Sequence, residues 1–299
     1  PAVLEVAIYQ RLTAMPHTKP LDEPPDADGS PSGLLERTLG ILELLSLNAR
    51  GLLLYEIAER LRIPRSATHR VLTSLVEHGY VRQERHQGAY MLTAKITSLA
   101  FTFLAGSGIT DLAQPILDRL AADSGELVRL AMVDGRKLIW VAKSQGAQFG
   151  LRYDPDMGQE ARLSCSASGI AWLSCLPEDE ALALVEKQGY GSRSEYGPKA
   201  PQTPRALLKY TRLAKKRGFS LVVQTYSPWM NTIAAPIRSP STGEVTGTVN
   251  VAGPHMRLTE PRMLELAPLL VEAARELSMA TLSSPAFAGR RSGGNFFIA

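Results

Sequence analysis

The sequence has few residues of the kinds that build disulfide scaffolds, metal centres or membrane spans. Only two of its 299 residues are cysteine and five are histidine. Cys165 and Cys175 lack the CxxC spacing of a zinc site, and the histidines show no paired ligand spacing. No run of about 18 apolar residues occurs, and no charged and apolar leader ends in a small-residue cleavage site. We therefore expect a cytoplasmic protein with reduced thiols and with no metal, cofactor or membrane partner.

The composition is that of an ordinary globular protein with a small excess of basic residues near its N-terminus. Apolar residues make up 44% of the chain, charged residues make up 21%, and the formal net charge is +4. Residues 33–95 contain nine Lys or Arg and six Asp or Glu. This excess is compatible with nucleic-acid binding but does not establish it. The length suggests two domains.

The two ends of the chain differ from its middle. Residues 13–33 contain five prolines and four acidic residues, a mixture that buries too little apolar surface to offset the cost of ordering. The residues after 283 are rich in glycine and arginine. We expect a disordered arm over residues 1–32 and a flexible tail over 284–299.

Residues 33–92 are predicted to form one domain with the order helix, helix, turn, helix, hairpin. Apolar positions on one face of 55–61 predict the second helix, and alternating stretches at 80–83 and 89–92 predict the hairpin. The first helix is predicted from leucines at near-helical spacing, namely Leu35, Leu39, Leu42, Leu45 and Leu47. This order is that of a winged helix-turn-helix, which is a DNA-binding motif.

The third helix of this domain carries the candidates for DNA binding. Pro64 suits its start and Gly79 its end. Its buried side is predicted to consist of Val71, Leu72, Leu75 and Val76. The residues predicted to contact DNA are Arg65, Ser66, Thr68, His69, Arg70 and Thr73 on its outer side, with Arg85 at the tip of the wing.

Each of these polar residues has a chemical reason to meet a duplex. Arg65, in the first turn of the helix, can donate two hydrogen bonds to a guanine, and Ser66 and Thr68 can reach bases or phosphates. Arg70 suits a phosphate better. A helix with scattered arginines is more often only a solvated face. The complete order of helices and hairpin is what favours DNA binding.

Beyond residue 92 the pattern predicts an apolar linker helix over 93–107, which needs a partner surface, and then a domain over 108–283. Its predicted helices cover 109–123, 166–175, 178–188, 204–217 and 260–280, and its predicted strands cover 127–133, 137–143, 149–153, 220–224, 232–237 and 245–251. Strands paired in hairpins between helices indicate an α+β fold with an antiparallel sheet.

Several short motifs together resemble the IclR family of bacterial transcription regulators. They are Arg-x-Leu-x-Ile-Leu at 37–42, Glu-Ile-Ala at 56–58, Pro-Arg-Ser-Ala-Thr-His-Arg at 64–70 and Gly-Tyr-Val at 79–81, and the similarity extends over 34–279. The resemblance implies a GAF-like effector domain, a homodimer or dimer of dimers assembled partly through the linker helix, and palindromic double-stranded DNA operators. The chain departs from the family at 91–93, where Met-Leu-Thr replaces a frequent Leu-Gly pair near the start of the linker.

The segment at 163–172 resembles the family element that closes one side of the ligand cavity. Its small residues leave backbone N–H groups that, with Ser166 and Ser168, can hold a carboxylate, although small residues also mark ordinary close packing. Asn250 lies in a valine-rich strand and needs hydrogen-bond partners if it faces inward. The residues predicted to bind an effector are Ser166, Ala167, Ser168, Val222, Gln224, Trp229, Thr232 and Asn250.

The segment at 218–236 lacks the acidic residue that is usual in the family and contains Gln224, Tyr226 and Trp229. The two aromatic side chains can stack on a ligand, or they can be core or dimer contacts. We predict that the effector is an aromatic or hydrophobic carboxylic acid and that the protein controls a catabolic operon.

Two other classes of function remain open at this point. A DNA-binding architectural protein would need no ligand. A Cys/His hydrolase would use Cys165, which lies beside a helix start where the pKa of a thiol can fall, with His255 as its base. No oriented acid accompanies these two residues, so we predict that the protein is not an enzyme.

Overall fold

The computed structural model describes residues 33–84, 88–107, 112–153, 155, 157–192 and 194–280, with only the backbone described at 104–107. These residues divide into two compact units, the first ending at Phe103 and the second beginning at Leu104. The predicted arm, the predicted tail and Arg85 lie outside the described residues. Among the residues described, no helix is both long enough and apolar enough to cross a bilayer.

The first unit is a helix-turn-helix followed by a hairpin and a long helix. Its elements are α1 (Leu34–Ser46), α2 (Leu54–Arg60), α3 (Arg65–Glu77), β1 (Val81–Gln83), β2 (Tyr90–Leu92) and α4 (Ala94–Ser107). The two strands pair antiparallel, with Arg82 opposite Met91. The predicted winged helix-turn-helix is therefore confirmed.

The core of this unit uses a narrower stripe of α1 than the sequence suggested. Ile41 and Leu45 are fully buried, together with Ile57 of α2 and Leu72 of α3. The predicted first helix is thus present, and Leu42 and Leu44 of α1 are partly buried against this core. The leucines left largely exposed are Leu35, Leu39 and Leu47.

The second unit is a five-stranded antiparallel sheet with helices on both faces. Its elements are α5 (Gln114–Ser124), β3 (Leu127–Asp134), β4 (Lys137–Gln145), α6 (Ala167–Leu173), α7 (Glu178–Gln188), α8 (Pro204–Arg217), β5 (Ser220–Val223), β6 (Met230–Arg238), β7 (Val245–Pro254) and α9 (Glu260–Ala280). The strands lie in the order β4-β3-β7-β6-β5, and neighbouring strands are antiparallel. This confirms the predicted α+β fold.

The alternation of side chains along each strand separates two packing layers. On one face, residues such as Val128, Leu130 and Val251 pack against α5 and α9. On the other face, residues such as Ala131 and Ala234 pack against α6, α7 and α8. The candidate ligand site lies in this second layer.

The strand predicted over 149–153 was wrong. These residues form no strand, and side chains from outside the segment bind two of its carbonyl groups. Arg257 donates to the Leu151 carbonyl oxygen at 3.2 Å, and Gln145 Nε2 donates to the Tyr153 carbonyl oxygen at 2.9 Å. The segment is thus a loop fixed by side chains beside the edge strand β4.

Candidate DNA-reading helix and ligand site

Helix α3 exposes most of the residues predicted to contact DNA. Arg65, Ser66, His69, Arg70 and Thr73 all lie on its accessible side. Side chains of these types in the first turns of a helix are suited to base edges and phosphates. The face is therefore accessible in this unit, and contact with DNA remains a prediction for each residue.

Thr68 was wrongly assigned to this exposed face. Its side chain is completely buried, and its Oγ1 donates to the Pro64 carbonyl oxygen at 3.2 Å. Thr68 thereby continues the buried stripe of Leu72 and Leu75 at helical spacing, whereas Val76, which we expected inside, is 39% exposed. The hydroxyl can be buried because its own helix satisfies it.

The C-terminal end of α3 is tied to the first turn of α4. Lys95 Nζ donates to the His78 carbonyl oxygen at 2.8 Å and lies 4.4 Å from the centroid of the Tyr80 ring. Thr93 Oγ1 donates to the Gly79 carbonyl oxygen at 2.6 Å and accepts from Lys95 N at 3.2 Å. A cation is favourable at a helix C-terminus, and Thr93 caps the start of α4. The reading helix and the first turn of the linker helix are thus held together.

In the second unit, most residues predicted to bind an effector are buried on one side of the sheet. The six buried residues are Ser166, Ala167, Ser168, Val222, Thr232 and Asn250. Gln224 and Trp229 do not join them. Gln224 takes a left-handed φ of 53° just after β5 and its Nε2 donates to the Pro228 carbonyl oxygen at 2.7 Å. Trp229 is 53% exposed and its ring lies 6.3 Å from that of His255.

The start of α6 is shaped by close backbone packing. Ser166 Oγ accepts a hydrogen bond from Gly169 N at 3.0 Å and so caps the helix. A Cβ at Gly169 would lie 2.5 Å from Leu163 Cα, so only glycine allows the preceding loop to return over the helix. By contrast, the buried Ser168 Oγ has no hydrogen-bond partner among the described residues.

Arg129 is a buried arginine that sequence analysis missed. It is 7% exposed, and its guanidinium carbon lies 3.8 Å from the centroid of the Trp140 ring and 5.7 Å from that of Tyr153. Its Nε has no hydrogen-bond partner among the described residues, and none of their carboxylates forms an ion pair with it. A signal was present in the sequence, since Arg129 interrupts the otherwise apolar stretch 127–133.

The environment of Arg129 compensates its charge incompletely. Burying a charged group costs several kcal/mol, roughly, even after relaxation. A cation–π contact returns only about 0.5–2 kcal/mol. A buried arginine held mainly by aromatic rings is therefore a place where an anion would be strongly stabilised.

Arg129 belongs to a row of residues that crosses the sheet. It pairs with Asn250, which in turn pairs with Ala234, and Asn250 Oδ1 accepts from Arg129 N at 3.2 Å. The row faces the α6 layer, because Ala234 packs there. Asn250 therefore faces inward. Two residues before Asn250 in β7, the Oγ1 atom of Thr248 is also buried without a partner among the described residues.

Burial also controls the titration of two groups near this row. It raises the pKa of the Tyr226 phenol, an effect that the Arg129 guanidinium partly offsets. It raises the pKa of the Cys165 thiol to about 12, and the nearby Arg162 only weakly opposes this. The expectation of a lowered thiol pKa was therefore wrong. A neutral buried thiol is a poor nucleophile.

Comparisons with known proteins agree on one family over nearly all of the described chain. A model of the IclR helix-turn-helix domain matches residues 34–85, and a model of the C-terminal part of bacterial IclR transcriptional regulators matches 101–279. The chain is 29% identical over 248 residues to the acetate operon repressor of Salmonella typhimurium, covering 82% of this chain and 89% of that protein. It is 27% identical over 248 residues to the transcriptional repressor IclR of Escherichia coli, with the same coverage of each chain.

Solved structures show the same fold. An IclR homologue from Microbacterium hydrocarbonoxydans, crystallised with 4-hydroxybenzoate, superimposes with a TM-score of 0.67 at 21% identity, covering 84% of this chain and all of that one. The two curated relatives are named as repressors, and the predicted absence of an enzymatic function agrees with those names.

Proposed function

The chain belongs to the IclR family of bacterial transcriptional regulators, and we propose that it controls a catabolic operon through an operator affinity that a small carboxylic acid changes. This proposal is supported by two features that occur together in one chain. One is the exposed polar face of α3, and the other is the buried polar layer beneath α6.

For DNA binding, we assign base reading to the first turns of α3. Arg65, Ser66, His69 and Thr73 supply donors and acceptors there, and Arg70 supplies a charge for phosphate. Arg85 is retained as the wing residue. A duplex bound by two such helices carries an inverted repeat, because a twofold dimer presents the same face twice.

The dimer itself is proposed to form through α4. This helix leaves Leu99, Phe101 and Phe103 more than half exposed. Leu99 and Phe103 share one side of the helix, at i and i+4, whereas Phe101 lies on the opposite side. Such a helix needs apolar partners on more than one side, which suits a homodimer or a dimer of dimers.

For the effector, we propose a carboxylic acid with an aromatic or apolar body, bound between the sheet and α6. The residues we retain for this contact are Ser166, Ala167, Ser168, Val222, Thr232 and Asn250, whereas Gln224 and Trp229 are placed outside it. The 4-hydroxybenzoate in the crystals of the Microbacterium homologue supports this class of ligand, and the name of the acetate operon repressor supports control of an operon. A ligand acts by binding two arrangements of the dimer unequally.

The test begins with the selection of bound duplexes from a random DNA pool. We expect the selected sequences to share an inverted repeat. Titration of that duplex, followed by fluorescence anisotropy, is then repeated with a panel of carboxylic acids, and at least one acid should change the affinity. Failure to select any sequence would contradict operator binding. A selected site whose affinity no acid changes would favour the architectural alternative.

A further inference from the structure

We propose that Arg129 recognises the negatively charged group of the effector, so that the site selects an organic acid over its uncharged analogue. This inference rests on the proposed function. It places charge recognition on strand β3, where sequence analysis named no residue, and it makes Arg129 the specificity-determining residue of the site.

The stacking of Arg129 leaves its donors available. A guanidinium that lies against a ring keeps its N–H groups in its own plane, directed away from that ring. Trp140 occupies one face at 3.8 Å, and Nε has no acceptor among the described residues. The two oxygens of a carboxylate match the fork formed by Nε–H and a terminal N–H, and they can accept both hydrogen bonds at once.

Neighbouring groups complete a site for an acid with a flat body. Thr248 pairs with Ala131, two residues from Arg129, and its hydroxyl is buried without a partner among the described residues, as is that of Ser168 on α6, so each has a donor to offer. Burial raises the pKa of the Tyr226 phenol and keeps it protonated, which also leaves it as a donor. The rings of Trp140 and Tyr153 lie close to the guanidinium and present apolar surface to the rest of the ligand.

The experiment compares acids with their own amides. Benzoate is paired with benzamide, and cyclohexanecarboxylate with its amide, and binding to the full chain is measured by calorimetry and by the rise in Tm. We expect at least one acid to bind about 10-fold or more tightly than its amide, the effect of a charge-assisted hydrogen bond. Arg129→Gln should reduce that ratio to near one, and Arg129→Lys should keep part of it.

Arg119→Gln is the matched control, because Arg119 is an exposed arginine of the same unit that pairs with Glu276. It should keep the ratio of the wild type. An acid preference that survives in Arg129→Gln overturns the role of Arg129 but leaves the ligand-controlled function standing. An acid-to-amide affinity ratio of one for every pair in the wild type also overturns the role of Arg129. That result does not depend on whether any variant folds.

The same preparations separate this inference from the proposed function. In Arg129→Gln, acids should no longer change the affinity for the selected duplex, whereas in Arg119→Gln both that affinity and its response to acids should match the wild type. If the wild type itself binds no duplex selectively, the proposed function fails, whatever the acid-to-amide ratio shows.

Discussion

Helix α3 and the buried face of the sheet carry the same kinds of polar side chain in opposite environments. Arg65, Ser66 and Thr73 are exposed to solvent, whereas Arg129, Ser168 and Thr248 are buried. Water satisfies Arg65 and Ser66 until a duplex replaces it, whereas the Thr73 hydroxyl donates to the His69 carbonyl oxygen of its own helix at 2.9 Å. The buried group must be satisfied by the protein or by a ligand, because an unmet hydrogen bond is costly in the interior. The exposed side chains of α3 are therefore suited to contact DNA, and the buried side chains of the sheet are suited to contact a small molecule.

The largest expected effect tests this comparison within α3 itself, where Thr68 is buried and Thr73 is exposed. Thr68→Asp places a carboxylate in the core of the first unit, and we expect it to lower the free energy of unfolding by about 3 kcal/mol or more. Thr73→Asp should change it by no more than about 0.5 kcal/mol and instead weaken DNA binding through charge repulsion. Urea unfolding followed by circular dichroism measures both, and equal midpoints for the two variants would contradict the assignment of Thr68.

The next effect concerns the backbone that holds the ligand site. Gly169→Ala puts a Cβ 2.5 Å from Leu163 Cα, and the backbone there has to shift. We expect a loss of about 1–3 kcal/mol in the free energy of unfolding. Gly33→Ala is the control, since nothing lies within 4 Å of its Cβ. If both variants melt at the wild-type temperature, the packing argument at Gly169 is refuted.

An effect of similar size, on DNA binding instead of folding, is expected when the exposed Arg65 of α3 is replaced. Arg65→Ala should weaken the selected duplex by about 1–3 kcal/mol more than it weakens random DNA, if the arginine makes two hydrogen bonds to a guanine. Arg212→Ala removes another exposed arginine, paired with Glu178 at 2.7 Å in the second unit, and should change neither affinity. Equal losses on the two duplexes would mean that Arg65 contacts only phosphate.

The smallest expected effect near neutral pH concerns the reactivity of the buried Cys165 thiol. With a pKa of about 12, only about one Cys165 in ten thousand is a thiolate at pH 8, so a thiol reagent should label Cys175 well before Cys165. The raised pKa stabilises the folded state below the ordinary value of 9.0, and this contribution is lost as the pH rises towards 12. Rapid labelling of both cysteines in the folded protein, followed by mass spectrometry, would contradict this.

The sequence predicted the exposed side of α3 well because a helix repeats every 3.6 residues and α3 has a clear apolar stripe. It failed at Thr68 because polarity was taken as exposure, although a threonine can satisfy its hydroxyl within its own helix. The leucine spacing predicted α1 correctly, but it left open that Leu35 and Leu39 are exposed, because periodicity shows which residues share a face and not how far the partner helix extends.

The sequence by itself determined the helix-turn-helix, the family and the order of helices and strands apart from the strand expected over 149–153, since each depends on residues close together in the chain or on local motifs. Only the tertiary structure decided which polar groups are buried together. Asn250 meets Arg129 across 121 residues, and α6, which carries Ser168, packs on strands β5, β6 and β7. Contacts of that separation depend on strand pairing and layer packing, which local periodicity does not encode.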